Sequence, residues 1–194
     1  MKHIGRKIYH LTGGAALIYL YALLGRRLGL LTLAGVFAVA TGADIARLRI
    51  PAFNEFMYRR FPKFIRASER NRLTGTPWYV LGVLLSAAFY GLPVALYAVA
   101  FLACGDVAAT AVGERWGSVK LAGPKSLQGT AAFFIASAVA GAAIDLFLYP
   151  VSPSVFLAGA ALASVVEVLP TGIDDNLLVP VVSGGLMRLL LAVL

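Results

Sequence analysis

TPWYVLGVLLSAAFYGLPVALYAVAFLACGDVAATAV, residues 76–112, decides the fold: it runs for 37 positions with a single charged side chain, Asp106. A membrane crossing takes roughly 20 mainly apolar residues, so this stretch is long enough for two. We divide it into spans at 76–92 and 93–112. Five further candidates appear on working outward, at about 10–25, 28–46, 129–149, 154–169 and 177–194, the sixth of the seven being short. Small residues recur along them (Gly13, Gly14, Ala15 and Ala16; Ala136, Ala140 and Gly141; Ala158, Gly159, Ala160 and Ala161), and in lipid such residues let helix backbones approach closely. The expected fold is all-α: a polytopic membrane helix bundle of about seven transmembrane helices in one domain, 1–194. Small-residue faces can also pack between chains, which leaves room for an oligomer.

Composition agrees with that reading. The 194 residues are 60% hydrophobic and only 13% charged, with a mean hydropathy of +0.83. An average soluble chain carries about a quarter charged residues. Lys and Arg number 17 against 9 Asp and Glu, a formal charge of +8. In a chain this apolar, excess cations suit anionic lipid head groups or a phosphorylated substrate, not nucleic acid. The single cysteine, Cys104, excludes a disulfide framework and a multi-cysteine metal site.

The basic residues also set sidedness, because cytoplasmic loops are enriched in Lys and Arg. Lys2, Arg6 and Lys7 precede the first span, eight more fall in 47–72, and Arg115, Lys120 and Lys125 lie before the fifth span. These share one side if the N-terminus is cytoplasmic, with the C-terminus outside and the working face toward the cytoplasm. The expected location is the cytoplasmic (inner) membrane. Arg26, Arg27 and Arg188 lie elsewhere and are read as snorkelling to the far surface. Ala38-Val39-Ala40 and Arg26-Arg27 look superficially like processing signals, but an apolar span precedes both, so cleavage is not expected.

Residues 47–72 form the longest hydrophilic segment. Phe53, Phe56, Met57, Phe61, Phe64 and Ile65 recur there at helical spacing with Arg59, Arg60, Lys63 and Arg66 between them, which predicts an amphipathic helix in the head-group plane. Pro51 is placed to start it and Pro62 to kink it. Such a segment anchors the inner leaflet, or gates an amphiphilic substrate arriving from it.

Acids are scarce and therefore informative. Asp44, Asp106 and Glu167 fall near the cytoplasmic ends of spans two, four and six, and Asp174 and Asp175 lie in the loop before span seven. An ionisable group near the bilayer centre costs at least ~2.5 kcal/mol and is retained mostly where it pairs or does chemistry. Carboxylates at one depth beside a basic loop suggest a divalent-cation and phosphate site. Three segments carry it. In 105–129, Asp106 closes an apolar run, Gly113 and Gly117 allow backbone to approach a bound group, and Lys125-Ser126 stands where an ammonium and helix-start amides together hold phosphate. The segment lacks the G-x-x-x-x-G-K-[ST] spacing of a Walker loop. In 167–180, Glu167 is followed by a turn and by Asp174-Asp175-Asn176; one acid is enough to cap the next helix, so the run exceeds the structural need. At the start, Arg6, Lys7 and His10 offer three donors to nucleotide phosphates.

Taken in order, Arg6-Lys7-x-x-His10, the run from Gly105-Asp106 to Gly113 and Gly117, Lys125-Ser126-x-x-Gly129, Glu167-x-Leu169-Pro170 and Asp174-Asp175-Asn176 with Pro180 resemble the polyprenol kinase family, which includes dolichol, phytol and farnesol kinases and CTP-dependent diacylglycerol kinases. The resemblance covers about residues 5–185 and looks closest to the phytol/farnesol branch, through Val119-Lys120-Leu121 and the Glu167 to Pro180 run. It implies an integral membrane enzyme that moves the terminal phosphoryl group of CTP to a lipid alcohol with a divalent metal, Mg2+ or a similar ion. It implies a nucleotide-binding set of Asp106, Gly113, Gly117, Lys120, Lys125, Ser126 and Gly129, an acidic motif of Glu167, Asp175 and Asn176, and an N-terminal motif of Arg6, Lys7 and His10. Asp44 with Arg47 resembles the family's acid and arginine near the end of the second span.

Phosphoryl transfer asks mainly for positioning and charge neutralisation. The expected arrangement puts the metal between nucleotide phosphates and two or more of Asp106, Glu167 and Asp175, with Lys125 on the phosphates, helped by Lys120 and by Arg6 or Lys7. Asp106 or Asp175 orients or deprotonates the lipid hydroxyl, and the Gly/Ala-rich interior takes the tail. Two rivals stand beside this reading. One is a cytidylyltransferase that forms a CDP-lipid; the other is a non-enzymatic transporter or scaffold, against which stand the lack of a convincing internal repeat and the gathering of acids at one face.

Overall fold

The structure, a computed structural model, describes residues 4–62, 65 and 69–194, with the backbone alone for residues 4–6 and 8. Lys2, Lys63, Phe64 and Arg66, and the side chain of Arg6, lie outside the described residues. The chain folds as α1 (Ile4–Arg49), α2 (Pro51–Arg60), α3 (Gly75–Trp116), β1 (Lys120–Ala122), β2 (Lys125–Ser126), α4 (Leu127–Phe147), α5 (Pro153–Val168) and α6 (Asp175–Val193).

α1 and α3 hold 46 and 42 residues, so at 1.5 Å per residue either would be roughly twice the ~30 Å hydrocarbon core if straight. Neither is straight. Each breaks at one glycine, Gly25 (φ 72°, ψ 173°) in α1 and Gly91 (φ 76°, ψ 176°) in α3. That combination of positive φ and extended ψ is open almost only to glycine. At both breaks the helix folds back on itself. In α1, Leu17 and Thr32 face one cavity from opposite arms, and a Cβ on Gly29 would fall 2.6 Å from the Tyr21 ring. In α3, Val83 and Ala87 of the first arm pack in one buried cluster with Ala95 and Val99 of the second. Pro93 sits in the first turn of that second arm, where its missing N–H costs nothing.

The seven expected spans are therefore not seven separate helices. The first two are the arms of α1, the third and fourth the arms of α3, and the rest are α4, α5 and α6. Among the described residues, four helices are long and apolar enough to cross a membrane, Tyr9–Arg49, Gly75–Trp116, Leu127–Phe147 and Asp175–Val193, with Pro153–Val168 apolar but shorter. The all-α expectation needs one amendment: β1 and β2 pair antiparallel through a turn at Gly123 (φ 55°). The interfacial segment is also shorter than expected. α2 begins with Pro51 in its first turn and ends at Arg60, just ahead of Pro62, and buries none of its residues.

The main core joins the second arm of α3 to α4, α5 and α6 through Tyr97, Phe101, Phe133, Val155 and Met187. Lipid tails are as apolar as these side chains, so close packing holds such helices together. Two glycines make it possible here. A Cβ on Gly105 would strike the Phe133 ring at 2.5 Å, and one on Gly159 would fall 2.7 Å from Met187. The two hairpins have a topological result. Both ends of α1 and both ends of α3 come to the same end of the bundle as the starts of α4 and α6 and the end of α5. Every motif found in the sequence lies there.

Candidate functional site

At that end of the bundle, the last turns of α3, the β1–β2 hairpin and the facing helix ends enclose a cavity of about 910 Å³. Its electrostatics rest on two lysines. Lys7, buried on the first turns of α1, forms an ion pair with the Asp106 carboxylate and donates to the Asp106 carbonyl at 3.1 Å. Lys125, on β2, lies between two acids. Its ammonium is 2.7 Å from Asp175 Oδ2 and 3.3 Å from Glu167 Oε1, and it also donates to the Glu167 carbonyl. Burial alone would lower the Lys125 pKa, but hydrogen bonds and charge from Asp175 and Glu167 outweigh it and hold the ammonium above its ordinary value.

Around these pairs the lining is balanced in charge: Lys7, Arg115, Lys120 and Lys125 face Asp106, Glu114, Glu167 and Asp175. Trp116 stands at the rim, 62% exposed, with the Arg115 guanidinium over its ring at 5.4 Å. The amino end of α4 also opens here, through Gly129 and Thr130. A helix amino terminus carries partial positive charge and favours phosphate.

Gly113, Gly117 and Gly129 line this cavity, and the structure shows a packing reason for each. The end of α3 presses on the start of α4, so a Cβ on Gly113 would come within 3.3 Å of Ser126 Oγ, one on Gly117 within 2.5 Å of the same atom, and one on Gly129 within 3.0 Å of the Ala109 carbonyl. Ser126 itself is 2% exposed, and its hydroxyl caps α4 by accepting the Gly129 N–H at 3.2 Å.

Not all of the expected residues meet here. His10, one turn beyond Lys7, packs against Tyr79 with ring centres 4.6 Å apart and planes tilted by 37°, and lines a second cavity of about 430 Å³ instead. Asp44 and Arg47 also belong to that second cavity. Arg47, 1% exposed, donates to Asp44 at 2.9 Å, to Asn54 at 3.0 Å and to the carbonyls of Arg70 and Arg72 at 3.1 and 2.8 Å, while Asp44 also accepts the Thr74 N–H. The pair thus braces the whole return from α1 to α3. Of the adjacent acids, Asp174 caps α6 by accepting the Asn176 N–H at 3.0 Å, which leaves Asp175 for Lys125. Asn176 donates to the Gly75 carbonyl at 3.4 Å and ties α6 to the start of α3.

Among the described residues, no three His, Cys, Asp or Glu side chains form a ready metal cluster. The trio expected as metal ligands, Asp106, Glu167 and Asp175, lines the cavity with each carboxylate paired to a lysine. Their chemistry still suits Mg2+, a hard cation that keeps several waters and takes one or two carboxylates together with substrate phosphates.

Thr110, Thr130, Arg115 and Trp116 also line the cavity; of these only Arg115 enters the sequence argument, as one of the basic residues that set sidedness. One signal was available: Thr110, Gly113 and Gly117 follow Asp106 by four, seven and eleven positions, the spacing of one helix face. No comparable signal marked Arg115 and Trp116.

Comparison with known proteins bears on what this geometry serves. The chain is 29% identical to CTP-dependent diacylglycerol kinase 1 of Saccharomyces cerevisiae, over 96% of this chain and 73% of that one. It is 29% identical to the protein of the same name from Schizosaccharomyces pombe, over 80% and 78% of the two chains. For that of Eremothecium gossypii the identity is 28%, over 98% and 68%. No protein-family profile and no solved structure matches the chain.

Proposed function

We propose that this chain is a membrane-embedded lipid kinase that transfers the terminal phosphoryl group of CTP to the hydroxyl of a lipid alcohol. The observation that carries it is the meeting of Lys7 and Lys125 with Asp106, Glu167 and Asp175 in one cavity, in a chain similar along nearly its whole length to CTP-dependent diacylglycerol kinases. The names of those relatives favour diacylglycerol as acceptor over the phytol and farnesol that the motifs brought forward.

In the membrane, each arm of α1 and α3 and each of α4, α5 and α6 makes one crossing, seven in all. α2 lies in the head-group plane, and the N-terminus and the cavity face the cytoplasm across the inner membrane. The cations on 47–72 and around the cavity support that sidedness.

Asp106 with Asp175 or Glu167 would hold a Mg2+ ion, which would supply neutralisation of the charge on the transferred phosphoryl group. The chain's own groups do the rest. Lys125, helped by Lys120, Lys7 and Arg6, takes the phosphates, and the first-turn amides of α4 add their partial charge. Gly113, Gly117 and Gly129 keep the floor of the cavity free of side chains. Trp116 offers a face on which the base stacks. The cavity is electrically balanced when Lys7 and Lys125 hold their carboxylates, so phosphate binding exchanges partners: the lysines pass to the phosphates and the carboxylates are released. Asp106 then receives the proton of the lipid hydroxyl as its oxygen attacks the terminal phosphorus; the bond from that phosphorus to the bridging oxygen breaks, and CDP leaves.

The test is direct. Purified protein in phospholipid vesicles, given labelled CTP or ATP and a panel of lipid alcohols, is expected to yield a lipid phosphate and CDP. Pyrophosphate and a CDP-lipid would make it a cytidylyltransferase instead, and no turnover with any acceptor would favour a transporter or scaffold.

A further inference from the structure

Among the described residues, the hydroxyls on the wall of the main cavity are those of Thr110, Ser118, Ser126 and Thr130. Three of them are engaged within the protein. Ser126 caps α4 by accepting the Gly129 N–H at 3.2 Å, Thr130 donates to the Ser126 carbonyl at 3.1 Å, and Ser118 accepts from Gln128 Nε2 at 2.7 Å. Thr110 differs: among the described residues its hydroxyl makes no hydrogen bond to protein.

The helix itself gives the reason. A serine or threonine inside a helix can satisfy its hydroxyl by donating to the carbonyl four residues back, as Thr32 does to Leu28 and Ser183 to Val179. For Thr110 that carbonyl belongs to Asp106. It lies within α3, where it accepts from the helix ladder, and it also accepts the Lys7 ammonium at 3.1 Å. A carbonyl oxygen has two lone pairs, and both are taken. The Thr110 hydroxyl is thereby left to the cavity that its residue lines.

Position along α3 says what it meets there. Asp106, Thr110, Gly113 and Gly117 share one helix face, and Trp116 stands at the cavity rim. From Asp106 to Trp116 the helix rises about 15 Å, which is comparable to the reach of an extended nucleoside triphosphate. With the base at Trp116 and the reacting end at Asp106, Thr110 lies one turn, about 6 Å, from Asp106 toward the base. The group received between those two side chains is the terminal phosphate.

We infer that Thr110 is a direct substrate contact: its hydroxyl donates a hydrogen bond to a non-bridging oxygen of the terminal phosphoryl group of the nucleotide. The inference rests on the kinase reading for the identity of that nucleotide and adds a residue to its site. Two properties distinguish this contact from those of the lysines. Lys7 and Lys125 are held by carboxylates that must let go before phosphate is bound, whereas the Thr110 hydroxyl gives up no bond to the protein. The contact also belongs to the triphosphate alone, so it is lost once the phosphoryl group has moved, and CDP is held without it.

The test uses the intact protein in phospholipid nanodiscs and titration calorimetry with CTP and with CDP, in the absence of a lipid acceptor. Thr110→Val keeps the branched shape and removes the donor. It is expected to weaken CTP binding by about ten- to a hundredfold, the usual worth of a hydrogen bond to a charged group, and CDP binding by less than about twofold. Thr110→Ser, which keeps the hydroxyl, is expected to bind CTP within about threefold of the parent. Thr110→Val is also expected to unfold at the parent's thermal midpoint, because the hydroxyl it removes bonds nothing in the protein. Unchanged CTP affinity in the valine variant, equal losses for CTP and CDP, or no recovery in the serine variant would each overturn the contact, and a large drop in the midpoint would make the hydroxyl structural instead. A Thr110-dependent preference for CTP over CDP without phosphoryl transfer to any acceptor would defeat the kinase reading and leave the contact standing; transfer by Thr110→Val at the parent rate, with parent affinity for CTP, would do the reverse.

Discussion

Lys125 and Asp175 are separated by fifty positions in the chain and by 2.7 Å in space. Nothing local brings them together: Lys125 sits on a two-stranded hairpin after α3, and Asp175 on the first turn of α6. The pair closes one side of the main cavity, and Glu167 at the end of α5 joins it.

Lys125→Ala is expected to lower kcat/KM for CTP by about 10²- to 10³-fold, the usual loss when one preorganised donor to a developing charge is removed. Lys125→Arg should recover part of it. Steady-state kinetics in vesicles measure both; full turnover by the alanine variant would remove Lys125 from the phosphate site.

The raised pKa of Lys125 has its own consequence. Asp175 and Glu167 hold the ammonium above its ordinary 10.5, so the charge, and the stability its ion pairs add, is fully present below that value and is lost only as pH rises through the higher folded one. The KM for CTP should show no step attributable to Lys125 between about pH 7 and pH 9. A Lys125-dependent step in that window, absent from the Lys125→Arg variant, would contradict the pairing.

Asp106→Asn keeps the shape of the side chain but removes its charge and its capacity to take a proton. Transfer is expected to fall by about 10²- to 10⁴-fold, and the thermal midpoint in detergent to fall as well, because Lys7 is left buried without its charged partner. Activity near the parent level would exclude Asp106 as base and as metal ligand.

Arg47→Ala separates a brace from a binding group. Asp44 would be left buried without its partner, and about 3–5 kcal/mol of stability should be lost, read as a lower thermal midpoint. The surviving folded fraction should bind CTP as tightly as the parent, because Arg47 does not face the nucleotide cavity. Weaker CTP binding at unchanged stability would reverse that assignment.

Gly117→Ala places a methyl group against Ser126 Oγ and the Gly113 carbonyl. The clash is with backbone and with a capping side chain, so a loss of about 1–3 kcal/mol is expected. Gly35→Ala, where a Cβ meets open space, should be close to neutral and serves as the control in the same melting experiment.

Much of this molecule is a property of contiguous chain. Hydropathy over windows of about 20 residues marks the helices, and it placed α4, α5 and α6 within a few residues of where they lie. Pro51, Ser126 and the Asp174-Asp175 run marked helix starts for local steric and hydrogen-bonding reasons. The gathering of Asp44, Asp106, Glu167 and Asp175 near one end could also be read, because alternation of spans fixes which ends share a face. Cavity membership could not. Lys7 and His10 are three residues apart on one helix and face different cavities, a difference set by how α1 is rotated against α3. By position in the chain either Asp174 or Asp175 could cap α6; Asp174 became the cap and Asp175 a partner of Lys125 once α6 had docked. Gly113 and Gly117 suggested room for a ligand, and packing of α3 on α4 gave them a second reason to be glycine. Local composition determines which segments are helical and where charge is scarce. Which charges meet depends on chain reversals at Gly25 and Gly91 and on packing angles, and those are decided only when all the helices are in place.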